Sequence, residues 1–348
     1  AVTVFSLAVS GCRTASLASP EPSEDQPAGR LRILTIGTAD SGGTMYPVGK
    51  AIAQAISQAD ASITVNLSAS EGSVSNALAL QNGEIDLGLV SGDVAYAALN
   101  GQQEFEGAPC RDLRVIAAVY PSLSNWIAPS SLGISYVHEL KGRRIAIGPQ
   151  DSSTALSARI VLDAAGITET NSILKNDGLG SGSEGILSGS LDAVHGFAGV
   201  PISGFSQLAD AMPCTILRYT DQELDSILSE NYFYYRDVIP AKTYPGQDRD
   251  VDTFGIKCLL CVDQDMDEGL VYELTSILYE NAGSLGRQHP SLFAMSRDRF
   301  MYSALPIPLH PAPVSPLITA LCASHFHAVL HPQTTFIINL IVLYYIIT

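Results

Sequence analysis

From Leu31 onward, short apolar runs alternate with polar turns and longer amphipathic stretches. Leu31-Arg-Ile-Leu-Thr-Ile-Gly37 is a β-prone run that breaks at Thr38-Ala-Asp40-Ser41-Gly42. Apolar positions then recur at helical spacing from Tyr46 to about Gln58. The pattern returns at Arg144-Ile-Ala-Ile-Gly148, followed by Pro149-Gln-Asp151-Ser152 and a helical stretch from Ala155 to Ala165 that stops at Gly166. Each copy has a downstream partner. Ala77 to Gly83 reads as a helix end with a glycine cap, and Ile85-Asp86-Leu-Gly-Leu-Val90 as a buried strand. Ile186 to Gly189 and Leu191-Asp192-Ala-Val194 repeat this. The spacing predicts two related α/β units, each a mainly parallel sheet flanked by helices, with a ligand cleft between the two lobes.

In open α/β sheets, ligands collect where strands lead into helices, because the first turn of a helix carries unpaired N–H groups and the positive end of its dipole. Asp40-Ser41 and Asp151-Ser152 occupy such turns. Each pair singly reads as a helix cap; their repetition across two facing lobes points to a cleft for a small anion. Gly180-Ser-Gly182-Ser-Glu-Gly185 fits a dinucleotide-binding glycine pattern in letters only. It follows a polar turn instead of a buried strand, and is read as a loop entering the helix of the second unit.

Composition changes this picture little. The formal net charge of −16 lacks the basic surface that nucleic acid requires, while helix N-termini can still hold an anion locally. With 46% hydrophobic residues among 348, the chain can build two sizeable cores. Cys258 and Cys261 form a CxxC, but on a strand residues three apart face opposite ways, so both read as small buried hydrophobes. His138, His195, His289 and His310 lack mutual ligand spacing and read as surface or packing residues.

The two ends differ from the middle. Ala1 to Gly11 reads as a signal-peptide remnant, and Val9-Ser-Gly-Cys12 resembles a bacterial lipobox that would lipidate Cys12. Residues 1–30 then include a flexible Ser/Pro/Glu-rich tether. This predicts an extracytoplasmic, periplasmic protein held to the membrane by lipid. At the other end, residues 313–348 form an atypical tail. Cys322, His325, His327 and His331 crowd together there without a standard metal spacing, ahead of an apolar stretch from Phe336 to Ile347 too short to span a bilayer as a helix.

The ordered set Ile36-Gly-Thr-Ala-Asp-Ser-Gly-Gly-Thr-Met-Tyr-Pro47, Glu71-Gly-Ser-Val-Ser-Asn76, Gly83-Glu-Ile-Asp-Leu-Gly-Leu-Val90, Asp93-Val-Ala-Tyr96, Leu140-Lys-Gly-Arg-Arg144, Ile239-Pro-Ala-Lys-Thr-Tyr-Pro-Gly-Gln-Asp248 and Leu305-Pro-Ile-Pro-Leu-His-Pro311 resembles the TAXI-type solute receptors of TRAP transporters, with the type II periplasmic-binding-protein fold. The resemblance implies a receptor that passes a small carboxylate or amino acid, such as glutamate, to membrane-embedded TRAP permease subunits driven by an ion gradient. It implies no catalysis, cofactor or metal. From the first lobe the implied ligand contacts are Thr38, Ser41, Thr44, Tyr46, Ser91 and Asp93, the last pairing with an ammonium. From the second they are Ser152, Thr154, Phe197 and Gly199, with Tyr120 where the chain crosses. Ser91-Gly92 and Asp151-Ser-Ser-Thr154 depart from the family's usual Gln-Ser and Gly-Ser-Gly-Thr, which weakens the case for glutamate itself. The expected organisation is lobe 1 over 31–119, lobe 2 over 120–250, and a return segment, 251–312, completing lobe 1. A receptor of an ATP-driven importer is the alternative on the same fold; an enzyme would need a nucleophile and base paired in the cleft.

Overall fold

The computed structural model describes residues 31–312, apart from Tyr232 and Asp298. Both expected units are present and follow one plan. In the first, β1 (Arg32–Gly37), α1 (Met45–Ala59), β2 (Ile63–Ser68), α2 (Ser73–Gln81), β3 (Leu87–Ser91) and α3 (Gly92–Asn100) give the parallel order β2-β1-β3. After β4 (Leu113–Pro129), β5 (Arg144–Ala146), α4 (Ser153–Ala164), β6 (Ile173–Lys175), α5 (Leu179–Leu187), β7 (Ala193–Ala198) and α6 (Ser203–Ala211) give β6-β5-β7, again parallel. The remaining elements are β8 (Cys214–Ile216), α7 (Asp221–Glu230), β9 (Tyr235–Ile239), β10 (Val251–Asp263), α8 (Glu268–Glu280) and α9 (Ala282–Gln288).

The two trios join edge to edge through β4 and β10. Both pair antiparallel with each other and with their outer neighbours, giving the path β2-β1-β3-β10-β4-β7-β5-β6, with β8 on β4 and β9 on β10. Each long strand changes core along its length. On β10, Phe254 and Ile256 pack with Trp126 and Ile145 in the second half, whereas Cys258, Leu260 and Val262 pack with Ile36 and Ile52 in the first. The crossing points are paired neighbours, Tyr120 opposite Cys258 and Ser122 opposite Ile256. After β10 the chain returns to the first half, where Val271, Leu274 and Leu278 pack against Ile52 and Ile56. The CxxC sulfurs diverge: Cys258 lies with Leu260 on one face, Cys261 with Leu259 on the other. Burial pushes the Cys258 thiol up to about 12, so it stays protonated and inert.

The repeat is visible in its hydrogen bonds. Thr35 N–H donates to Asp86 Oδ2 at 2.7 Å while Asp86 N–H donates to the Thr35 carbonyl at 3.0 Å. Arg144 and Asp192 exchange the same two bonds, each at 2.8 Å. Gly83 and Gly189, which precede these aspartates, both hold left-handed φ, 68° and 72°. In the second unit the Arg144 guanidinium also grips Asp192, Nη2 to Oδ1 at 2.7 Å, and holds its carboxyl below the usual range. The glycine pattern at 180–185 lies inside α5, beyond the loop expected to lead into it. A side chain at Gly185 would collide with Leu191 at 2.4 Å, so the small residue there permits close helix–strand packing.

Because each aspartate supplies a charge-assisted bond to the backbone of its central strand, Asp86→Ala and Asp192→Ala are each expected to cost about 2 kcal/mol. Urea unfolding midpoints at constant slope check this.

Candidate functional site

The strand-to-helix turns of both halves open on one cavity of about 50 Å³, between the carboxyl ends of the two parallel trios. Helix N-termini surround it: Thr44 and Met45 at α1, Gly72 and Ser73 at α2, Ser152 and Ser153 at α4, and Leu179 at α5. The Thr44 hydroxyl makes no capping bond to α1, and the N-caps of α2 and α5 are Gly72 and Gly178, which have no side chain to make one. At α4, Ser152 Oγ accepts from Ala155 N–H at 3.1 Å and donates to the Pro149 carbonyl at 2.6 Å. Among the described residues, the lining contains no lysine, arginine or histidine; its ionisable carboxyls are Asp40 and Glu71. Positive potential in the cavity therefore comes from backbone dipoles.

Five of the expected contacts, Thr44, Tyr120, Ser152, Thr154 and Phe197, lie in this lining. Six lie outside it. Thr38 donates its hydroxyl to the Ser68 carbonyl at 2.9 Å, between strands. Ser41 is exposed and Tyr46 half-buried, and neither is in the lining. Gly199 adjoins the lining through Ala198, and its carbonyl accepts Thr44 Oγ1 at 2.5 Å, one of the bonds joining the halves. Ser91 and Asp93 are buried behind the cavity. Asp93 Oδ1 accepts from Val94 N–H at 2.8 Å and Oδ2 from the Tyr234 hydroxyl at 3.0 Å. Burial raises its carboxyl above the usual range, against the pull of those bonds. Asp93 thus braces α3 against the second half, away from the place foreseen for an ammonium. Glu71, Gly72 and Ser73 line the cavity without having been singled out as contacts. The rule that found the turns after β1 and β5 applies equally to the turn after β2.

Tyr120 forms the floor where β4 crosses. Its ring is fully buried, and its hydroxyl, though near Cys258 and Ser122, makes no hydrogen bond of ordinary length and angle. A buried hydroxyl without a partner is rare enough to require a reason. Behind the α4 side of the cavity, Trp126 Nε1 donates to Tyr219 Oη at 2.7 Å, Tyr219 bonds Ser124 Oγ at 2.5 Å, and Ser124 bonds His195 Nε2 at 3.0 Å. His195 Nδ1 faces the Thr154 carbonyl at 3.1 Å. A carbonyl only accepts, so Nδ1 carries the proton, Nε2 accepts from Ser124, and every bond in the chain points toward α4. Ser124 and His195 form a pair of nucleophile and base types, but both are sealed from the cavity and neither lines it. Among the described residues no cluster of His, Cys, Asp and Glu could hold a metal ion, and no helix is long and apolar enough to cross a membrane. Cys12 and the Cys322–His331 group lie outside the described residues.

The chain belongs to the NMT1-like family, whose family model matches residues 36–314. Solved structures similar to it include the alkanesulfonate-binding protein SsuA from Xanthomonas axonopodis pv. citri bound to MOPS, at 15% identity and TM-score 0.45, covering 75% of this chain and 79% of that one. A putative L-cystine ABC transporter protein from Listeria monocytogenes matches at 14% identity and TM-score 0.47, covering 76% and 97%. PhnD1 from Prochlorococcus marinus in complex with methylphosphonate matches at 14% and 0.47, covering 75% and 90%.

Burial drives the His195 pKa down to about 3 from 6.5. Between those values the unfolded chain takes up a proton that the folded chain refuses. The histidine's contribution is therefore whole above pH 6.5 and declines as pH falls toward 3. His195→Gln is expected to lose this dependence, so its stability should fall by about 1 kcal/mol less than wild type between pH 6.5 and 5.5. Urea titrations at the two pH values measure the difference.

Proposed function

We propose that the chain is an extracytoplasmic solute-binding receptor that captures a small carboxylate or amino acid, such as glutamate, for delivery to a membrane transporter of the TRAP (TAXI) type. The observation that carries this reading is the convergence of four helix N-termini from both halves on one cavity whose lining also includes Tyr120, a residue with an unpartnered buried hydroxyl. Backbone N–H groups and hydroxyls favour carboxylate oxygens there, and a cavity of about 50 Å³ suits the few heavy atoms of a small anionic group held between closed lobes. Glu71 stands in the lining where it can pair with an ammonium.

The turn after β1 already bonds across the cleft. Thr44 reaches the Gly199 carbonyl, and Gly204 N–H donates to the Gly42 carbonyl at 3.1 Å. Binding would then stabilise the closed arrangement about the paired crossings of β4 and β10. Export and lipid attachment through Cys12, and permease subunits as partners, belong to this reading through the sequence resemblance. They are tested by fractionating cells carrying wild type or Cys12→Ala.

Thermal unfolding of the chain against amino acids, mono- and dicarboxylates and sugars tests the reading. A true ligand at a thousand times its Kd should add about 4 kcal/mol, raising Tm by about 8–16 °C. Carboxylate-bearing solutes are expected to raise it and sugars to leave it unchanged; a response to sugars alone would overturn the reading. Tyr120→Phe should leave ligand-free stability equal or higher, since it removes an unpartnered buried group. The same change should weaken the best ligand about tenfold.

A further inference from the structure

We propose that Asp40 is a specificity-determining residue: its carboxylate fills the N-terminus of α5, so that the solute brings a single acidic group, to the α2–α4 side of the cavity. This rests on the reading of the cleft as a solute site. The internal repeat makes α2 and α5 equivalent helices, and both begin at the cavity, with Gly72 and Ser73 on one side and Leu179 on the other. Their N-termini are treated differently. At α5, Gly180 N–H donates to Asp40 Oδ2 at 3.2 Å from the opposite half, while Asp40 Oδ1 accepts Gly42 N–H at 2.9 Å. The carboxylate is thereby held from both sides of the cleft.

The fit leaves no space between them. A side chain at Gly42 would meet Gly180 N at 2.6 Å, and one at Gly178 would meet Asp40 Oδ2 at 3.0 Å. At α2 the equivalent neighbour is the turn after β5, where Ser152 lies 3.4 Å from a side chain built at Gly72. Asp151, the acid of that turn, is exposed, and the Ser152 hydroxyl is committed to its own turn. Among the described residues, no side chain bonds the N–H groups of Ser73, Val74 or Ser75, the first three of α2. Tyr120, whose fully buried hydroxyl lacks a partner, belongs to the lining of the same cavity. Of this equivalent pair, the N-terminus of α5 is closed by the protein's own carboxylate and that of α2 is open. A second acidic group on the solute would have to lie beside Asp40, where like charges repel in a water-poor cleft.

Calorimetric titration of the full chain with isosteric pairs decides it: glutamate and glutamine, aspartate and asparagine, succinate and succinamate. Wild type is expected to prefer the amide member, which narrows the proposed ligand class from glutamate to singly acidic solutes such as glutamine. Asp40→Asn, which keeps the shape, should shift the acid-to-amide affinity ratio about tenfold toward the acid. Asp40→Ala, which empties the pole, should shift it in the same direction. Asp151→Asn removes one charge from the exposed turn before α4, outside the lining, and controls for net charge, with an expected shift under about threefold. Equal shifts in the Asp40 and Asp151 variants, or a wild type that prefers the diacids, would overturn the proposal while leaving the solute site standing. Absence of binding by every pair would overturn both.

Discussion

A parallel β-strand followed by a helix fixes where the helix begins: at the carboxyl end of the strand, with its unpaired N–H groups facing out beyond the sheet edge. Two such units joined through antiparallel β4 and β10 turn those ends toward each other. The cavity is a consequence of that geometry. Four helix starts from two halves converge on it, and their dipoles give an acidic protein a local preference for negative charge.

The rest of the structure holds this convergence in place. Asp86 and Asp192 pin each central strand to the strand whose start they immediately precede, β3 and β7. The chain of bonds from Trp126 through Tyr219, Ser124 and His195 ends on the carbonyl of Thr154, in the first turn of α4. Asp93 and Tyr234 tie α3 to the second half behind the cavity. These polar groups, buried or half-buried, have their partners supplied, and their cost is contained for that reason. The hydroxyls of Tyr120 and Ser91 differ in lacking a partner, and Tyr120, where the halves meet, belongs to the cavity lining.

The repeat was legible in the sequence because both copies carry the same local signals: an apolar run, a Gly/Asp/Ser turn, a helical period and a glycine before an aspartate. Helix starts at Met45 and Ser153 fall within two residues of those expected from Tyr46 and Ala155. The joining of the trios into one sheet was not legible. β4 is buried along nearly its whole length, and a strand covered on both faces has no alternation to read. The site was legible only in part. Turns adjacent in sequence to β1 and β5 could be found by rule, whereas the burial of Asp93 depends on Tyr234, distant in sequence, and on the crossing of β10. The carboxylate of Asp40 belongs to a turn that reads as a binding loop, yet it caps a helix of the other half, a contact across 140 positions.

The central claim is that helix N-termini and the Tyr120 hydroxyl hold the anionic group of a solute. Backbone amide NMR of the labelled chain, titrated with the carboxylate that most raises its Tm, measures this directly. The account predicts the largest downfield amide shifts at Met45, Ser73, Val74, Ser153 and Thr154, saturating together with one affinity. Saturable shifts confined to other surfaces, with these amides unmoved, would contradict it.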